Sequence, residues 1–474
     1  MAKKKNVYIA PQTLSVSDVE KALKDSIPFV PTPDQDRLAN ALARFTVSDI
    51  PNKVFVLNGY AGTGKSSMIG AYVKALENLN VNTVLMAPTG RAAKVFSAFA
   101  GKKAVTIHKT LYRADSADPA SRNFFLARNF SRDTVFIVDE ASMISDSDNP
   151  QNSLLQLLVR YVYSGVNCTL LLAGDSAQLP PVGQLASPAI SLERLRGLGL
   201  APGLVRLEKI VRQEHDSGIL HNATIVRNML DDPSGDFRLD VSPFKDIRAI
   251  SSIELEDELT SSWSRVGQDE TLIITRSNWR ANMINNDVRV RILYADTELQ
   301  RGEKVLVTRN NYYWTRNSKT LDFIANGETA TVTWMGRVHN AYGHTFADAE
   351  IVLTGSEEPV AVKVMLDSLT AEAPTVPNSE MSKLYNTLMD EAEGALTQKM
   401  AYVDNNPYYN AIQIKHSYCV TCHKAQGGQW RHVYIDMSSI NPETLDSDFY
   451  RWLYTAITRA TERVYLVNPT VPVE

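Results

Sequence analysis

The sequence predicts an α/β protein made of two parallel-sheet halves, with a small all-β insertion in the second. Three observations carry this. A phosphate-loop pattern lies between an apolar run and an amphipathic helix at Val54–Leu76; apolar runs closed by polar residues alternate with helical periodicity up to Ala177 and again from Leu207; and between Gly302 and Val364 the pattern changes to short alternating strands. With 474 residues, 44% apolar and 22% charged, the chain has the length of about three domains and the composition to fill their cores.

The phosphate loop reads Gly-Tyr-Ala-Gly-Thr-Gly-Lys-Ser over Gly59–Ser66. Its glycines, Gly59, Gly62 and Gly64, allow a cradle of backbone N–H donors, which Ala61, Thr63 and Ser67 complete. Lys65 can reach the β- and γ-phosphates, and the Ser66 hydroxyl can ligate magnesium. An apolar strand precedes the loop, and Met68, Ile69, Tyr72, Val73 and Leu76 follow at helical spacing, so a helix dipole is added to the anion site.

A net charge of −4 neither advertises nor excludes a nucleic-acid track, because a basic channel fits within an acidic surface. No run approaches the roughly 18 apolar residues of a membrane span, and no apolar signal core follows Met1–Asn6. The expectation is a cytoplasmic protein, in the host cytoplasm if phage-encoded, with a frayed basic start and no membrane partner. Cys419-Val-Thr-Cys422-His423 matches a haem attachment pattern. Attachment of that kind wants an exported protein, and with Cys168 the only other thiol a structural zinc site lacks ligands, so the expectation is a reduced strand end with a functional His423.

In chain order, a lead-in with a short helix near Val19–Asp25 is followed by Pro31-Thr-Pro-Asp-Gln35, which opens a helix whose Leu38, Ala39, Leu42 and Phe45 share a face. Gln35 is a solvated first-turn residue or, through its donor and acceptor, a reader of an adenine edge. The strand Thr83–Ala87 runs into Pro88, Thr89, Gly90 and Arg91, and Thr106 and His108 follow at the next strand end, where ligands of parallel sheets bind. Leu111–Phe130 breaks the alternation and reads as a projecting β-hairpin. Thr134–Val138 is a buried strand ending in Asp139 and Glu140, two carboxylates that need a cation: Asp139 suits magnesium through its water shell, Glu140 the attacking water. The strand Cys168–Ala173 leads to Gln178, whose amide can sense a γ-phosphate.

The pattern restarts at Leu207, which places Arg212 after a short strand; Thr271–Thr275 and Tyr418–Thr421 give two further strand-to-helix turns, and Leu453–Arg459 precedes the strand Val464–Val467. Arg212 and Arg459 are candidate arginine fingers. The intervening strands Lys304–Thr308, Thr329–Trp334, Ala349–Leu353 and Val360–Val364 suggest a small barrel, and Asp367–Asn410 a helical extension.

Taken in order, these motifs resemble the superfamily-1 helicases, in the RecD-like branch that includes the phage Dda type of DNA helicase. Gly-Tyr-Ala-Gly-Thr-Gly-Lys-Ser is similar to motif I, Ala-Pro-Thr-Gly-Arg-Ala-Ala-Lys to motif Ia, Thr-Ile-His to Ib, Val-Asp-Glu-Ala-Ser-Met to II and Gly-Asp-Ser-Ala-Gln-Leu-Pro-Pro-Val-Gly to III. Val-Arg-Gln is similar to motif IV, Thr-Cys-His-Lys-Ala-Gln-Gly to V and Tyr-Thr-Ala-Ile-Thr-Arg-Ala to VI.

The resemblance implies two RecA-like motor domains with a β-hairpin pin, an SH3-like barrel and a helical tower. By position these are a lead-in at 1–30, motor 1 at 31–205 containing the pin at 109–130, motor 2 at 206–300 and 412–474, and the barrel with its extension at 301–411. It implies ATP and magnesium as cofactors, with Gln35 on adenine, Lys65, Glu140, Gln178, Arg212 and Arg459 catalytic, Ser66 and Asp139 at the metal, and Gly427 beside the nucleotide. Pro88, Thr89, Arg91, Thr106, His108, Thr421 and His423 line a DNA path, and either Phe124 or Phe125, on opposite faces of a strand, meets the duplex junction. Gln429 stands where many relatives carry an acidic residue and Glu303 where they carry an aspartate, so no role passes to either. The expected activity is 5′ to 3′ translocation on single-stranded DNA and duplex unwinding, alongside replication or recombination proteins; an RNA helicase or a non-motor phosphate-loop ATPase are the alternatives.

Overall fold

The computed structural model describes residues 14–114, 124–149, 153–211, 217–232, 236–318, 321 and 323–474. Ser15 and Thr32 each cap a helix with a capping box, starting Val16–Ser26 and Pro33–Val47, and Leu23, Leu38, Leu42 and Phe45 of these helices enter the first core. The first sheet comprises β1 (Lys53–Gly59), β2 (Asn82–Ala87) and β3 (Ala104–Thr106), then, after a short side hairpin of β4 (Tyr112–Ala114) and β5 (Phe124–Leu126), β6 (Thr134–Val138), β7 (Thr169–Gly174) and β8 (Ala201–Leu207). Its order is β3-β2-β6-β7-β1-β8, all parallel. β1 and β6 are buried along their whole length, as expected of strands covered on both faces.

β8 pairs with β1 from Lys53↔Ala201 to Gly59↔Leu207, so Leu207 ends the first sheet and does not open the second. The second sheet holds β9 (Ile247–Ile250) and β10 (Thr271–Thr275). The barrel follows with β11 (Lys304–Val307), β12 (Thr329–Ala341), β13 (His344–Leu353), β14 (Pro359–Met365) and β15 (Ile412–His416). β16 (Cys419–Thr421), β17 (Trp430–Asp436) and β18 (Ala460–Val467) return to the second sheet, whose order is β16-β10-β17-β18-β9, again all parallel.

Two expectations about the insertion are corrected. β12 and β13 run well beyond Trp334 and Ala349 into a long hairpin turning at Tyr342 and Gly343, both at positive φ; irregular register after Val332 and again after Met335 breaks the period-two signal. Residues 412–416, assigned above to the second sheet, instead close the barrel, β15 pairing with β11 and β14. The extension, helices Asp367–Thr370, Asn378–Glu391 and Leu396–Asp404, packs Met381, Leu384, Leu388 and Val403 onto Phe346 and Met365 of the barrel. Glu303 is buried in an ion pair with Arg289 at 2.5 Å and accepts the Gln300 N–H, which fixes the turn into β11.

Candidate active site

The loop after β1 wraps the start of the helix Lys65–Asn78, with Gly62 and Gly64 at φ +77° and +79°, a region that only glycine enters freely. A Cβ on Gly64 would lie 2.6 Å from Gln35 Nε2, so nothing larger fits. No side chain caps this helix, which leaves its first amides for an anion. Gln35 is fully buried and so is not a solvated residue: its Oε1 accepts the Thr32 N–H at 2.9 Å and its Nε2 donates to the Thr63 carbonyl at 3.0 Å, tying the helix start to the phosphate loop.

Three strand ends bring carboxylates to Lys65. Asp139 and Glu140 follow β6, and Asp175 follows β7. Burial raises the pKa of Asp139 and of Asp175, and the Lys65 cation opposes it; burial depresses Lys65, but Glu140, Asp139 and Asp175 outweigh that and leave it above its ordinary value. Glu140 sits at φ +53°, and its N–H donates to Asp139 Oδ1 at 2.9 Å. Among the described residues, Glu140 Oε2 and Gln178 Oε1 are buried with no hydrogen-bond partner. Buried polar atoms are costly to leave so, and Glu140 Oε2 belongs to a site with an excess of carboxylate, which a phosphate-bound divalent cation and a water would complete. No group of three protein ligands able to hold a metal by themselves occurs among the described residues.

The second half closes over this site. Arg459, 4% exposed, donates from Nε to the Thr455 carbonyl, from Nη1 to the Gly428 carbonyl and from Nη2 to Thr458 Oγ1, and its Nη1 stands 4.0 Å from Glu140 Oε1. Arg212 lies outside the described residues. Gly427, expected beside the nucleotide, sits at φ +71° in close contact with the first half: a Cβ there would meet Ala92, Thr89 and Met143 at 2.9–3.5 Å.

Of the predicted DNA-path residues, Thr89, Arg91 and His423 line a cleft of about 250 Å³ between the two sheets and the barrel, along with Lys304, Thr329 and Trp430. Thr89 caps the helix Gly90–Ala100, while Arg91 lies 3.8 Å above the Trp430 ring and donates to the Gln429 carbonyl at 2.6 Å. Pro88, Thr106 and His108 stand outside that cleft; Thr106 caps the next helix and His108 stacks on Tyr112. Thr421 opens onto a smaller recess with Lys424 and Asn278. Burial lowers the His423 and His108 pKa values and pushes the Cys422 thiol up to about 12, so the cysteine pattern is a buried strand end and its histidine faces the cleft. The side chains of Phe124 and Phe125 lie outside the described set. Sequence reasoning missed Asp175, although its place at a strand's carboxyl end mirrors that of Asp139, and it missed Tyr454 and Trp430, which read as core aromatics.

Two parallel sheets closing on one phosphate loop define a two-domain phosphate-loop NTPase. Residues 32–229 match the AAA domain family and 416–467 the UvrD-like helicase C-terminal domain. The ATP-dependent RecD2 DNA helicase of Deinococcus radiodurans is 24% identical over 430 residues, 87% of this chain and 47% of that protein, so the chain spans about half of that relative. The ATP-dependent DNA helicase dda of Enterobacteria phage T4 is 23% identical over 87% of this chain and 93% of its own. A Bacteroides Pif1 helicase in complex with ADP-AlF3 and ssDNA is 17% identical, covers 93% of this chain and 92% of its own, and has a TM-score of 0.49. Along its length the chain is thus similar to superfamily-1 helicases of the RecD and Dda type.

Proposed function

We propose that the protein hydrolyses ATP to move 5′ to 3′ along single-stranded DNA and to unwind duplex ahead of it, in phage-type replication or recombination. The observation that carries this is Arg459 of the second half standing 4.0 Å from Glu140 of the first. A site split between two bodies makes closure and hydrolysis one event, which is what a motor needs. In this reading the first amides of the helix Lys65–Asn78 and the Lys65 ammonium hold the β- and γ-phosphates, and Gln35 bounds the adenine side. Ser66 and Asp139 would hold magnesium, which neutralises phosphate charge. Glu140, with Oε2 free of partners, takes a proton from the attacking water; Gln178 orients that water, and Arg459, with Arg212, stabilises charge on the transferred group. The barrel and its extension act as the family's SH3-like domain and tower, and the β4–β5 hairpin as its pin. Thr89, Arg91 and His423 carry the strand in the cleft.

Strand displacement on 5′- and 3′-tailed duplexes of DNA and of RNA tests the reading, with Lys65→Ala as the folded, inactive control. Displacement of the 5′-tailed DNA alone is expected. Release of only the 3′-tailed substrate reverses the polarity, preference for RNA changes the substrate, and no nucleic-acid-stimulated hydrolysis at all removes the motor.

A further inference from the structure

The helix Ser447–Ile457 delivers Arg459, and it also reaches the phosphate loop directly. Tyr454, 1% exposed, accepts the Ala61 N–H at 2.8 Å and donates its hydroxyl proton to Asp175 Oδ2 at 2.8 Å. Its two partners follow β1 and β7, which are neighbours in the first sheet, and the other Asp175 oxygen accepts the Ala177 N–H at 2.9 Å. One hydroxyl thus joins the phosphate loop, the segment leading to Gln178 and a helix of the opposite half. Only a group that is donor and acceptor at once can do this.

We propose that Tyr454 is a positioning residue for hydrolysis: it sets the register of the arginine-bearing helix on the phosphate loop, so that Arg459 is held at the depth of Glu140. The proposal rests on reading this site as the hydrolysis site. Tyr454 lies about one and a half helical turns before Arg459, so a shift of its anchor moves the arginine with it. Other bonds cross the same interface without touching the loop: Leu179 N–H donates to Thr455 Oγ1 at 2.8 Å, and Gln426 Nε2 to the Leu179 carbonyl at 2.7 Å. They hold the halves together; Tyr454 hydrogen-bonds the loop itself, beside the Arg227 guanidinium, which lies 4.6 Å from the Tyr60 ring.

Steady-state ATP hydrolysis with saturating oligo-dT separates these roles. Tyr454→Phe keeps the buried ring, and is expected to lower kcat about tenfold, as a small misplacement of a catalytic group does, with KM for ATP within about twofold. Arg451→Ala, which removes a bond from the same helix to the Ser176 carbonyl across the interface, should leave kcat within about twofold of wild type. Equal losses in the two variants, or an unchanged kcat in Tyr454→Phe, overturn the proposal. Should the phenylalanine variant not fold, Asp175→Asn weakens the other end of the same bond, and wild-type kcat in that variant overturns it equally. A wild-type chain without DNA-stimulated hydrolysis would instead remove the proposed function itself.

Discussion

Three hydrogen bonds to its own half fix the Arg459 guanidinium so that Nη1 faces Glu140. Such preorganisation favours charge that develops only in the transition state. Arg459→Ala should therefore lower the hydrolysis rate by about 10³ or more while weakening ATP binding far less. Single-turnover rates and the affinity for a fluorescent ATP analogue, measured on the same variant, check this; equal falls would make Arg459 a binding residue. Glu140 supplies the other half of the contact. Its left-handed backbone is a strained position for a residue with a side chain, and strain of that kind is kept where the surroundings over-determine the geometry.

At the scale of elements, the segment after Glu140 is pinned by Asp146. Its carboxylate accepts from Ser153 Oγ, Gln156 Nε2 and the Ser147 N–H, and pairs with Arg194, which links this segment to the helices Leu154–Tyr163 and Leu192–Gly197. Burial pushes its pKa up, but those bonds outweigh it and hold it at about 2, against an ordinary 3.8. A carboxylate depressed on folding stabilises the fold above its unfolded pKa, and that stability is lost as the pH falls through about 4 toward 2. Asp146→Asn should thus cost about 2 kcal/mol at pH 7, by denaturant titration, with the gap to wild type closing from pH 4 downward. A gap that does not change with pH would assign the loss to packing. The hairpin carries the second element-scale prediction. β4 and β5 pair with Ala114↔Phe124 and Arg113↔Phe125. Stacking lost at a junction is about 1.4 kcal/mol per base-pair step, and an aromatic ring can replace it whatever the base. One of Phe124→Ala and Phe125→Ala should slow unwinding while leaving DNA-stimulated hydrolysis and translocation nearly intact. If neither does, the wedge is elsewhere.

For the whole molecule, the cleft between the sheets is spanned by Arg91 of the first half lying on Trp430 of the second. Burial lowers the arginine pKa to about 10, so it stays charged at neutral pH and can serve both as a clasp and as a phosphate ligand. Arg91→Ala should weaken oligo-dT binding and reduce the salt dependence of log K by about one unit of slope, read by fluorescence anisotropy across a salt series. Weaker binding with an unchanged slope would leave Arg91 as a clasp only. The barrel completes the same cleft through Lys304 and Thr329, so all three bodies line it. No helix among the described residues is long and apolar enough to cross a membrane.

The sequence by itself determined whatever is local in cause. The phosphate loop and the strand ending at Asp139 and Glu140 were legible because a few consecutive residues fix their conformation. The parallel strands were legible too, since strands buried on both faces are apolar throughout. What only the tertiary structure decided was pairing between distant segments. β8 joins β1 and β15 closes the barrel through hydrogen bonds between residues far apart in the chain, and neither strand's own residues say which edge it will meet. The motif that carries Gly427 does not say that its lack of a side chain also serves close approach to Thr89 and Ala92. Gln35 could not be placed from its first-turn position, because its burial depends on a carbonyl of Thr63. Tyr454 reads in sequence as one more apolar position of an amphipathic helix. Its hydroxyl acquires a role only when two loops of the other half bring an N–H and a carboxylate to within 2.8 Å.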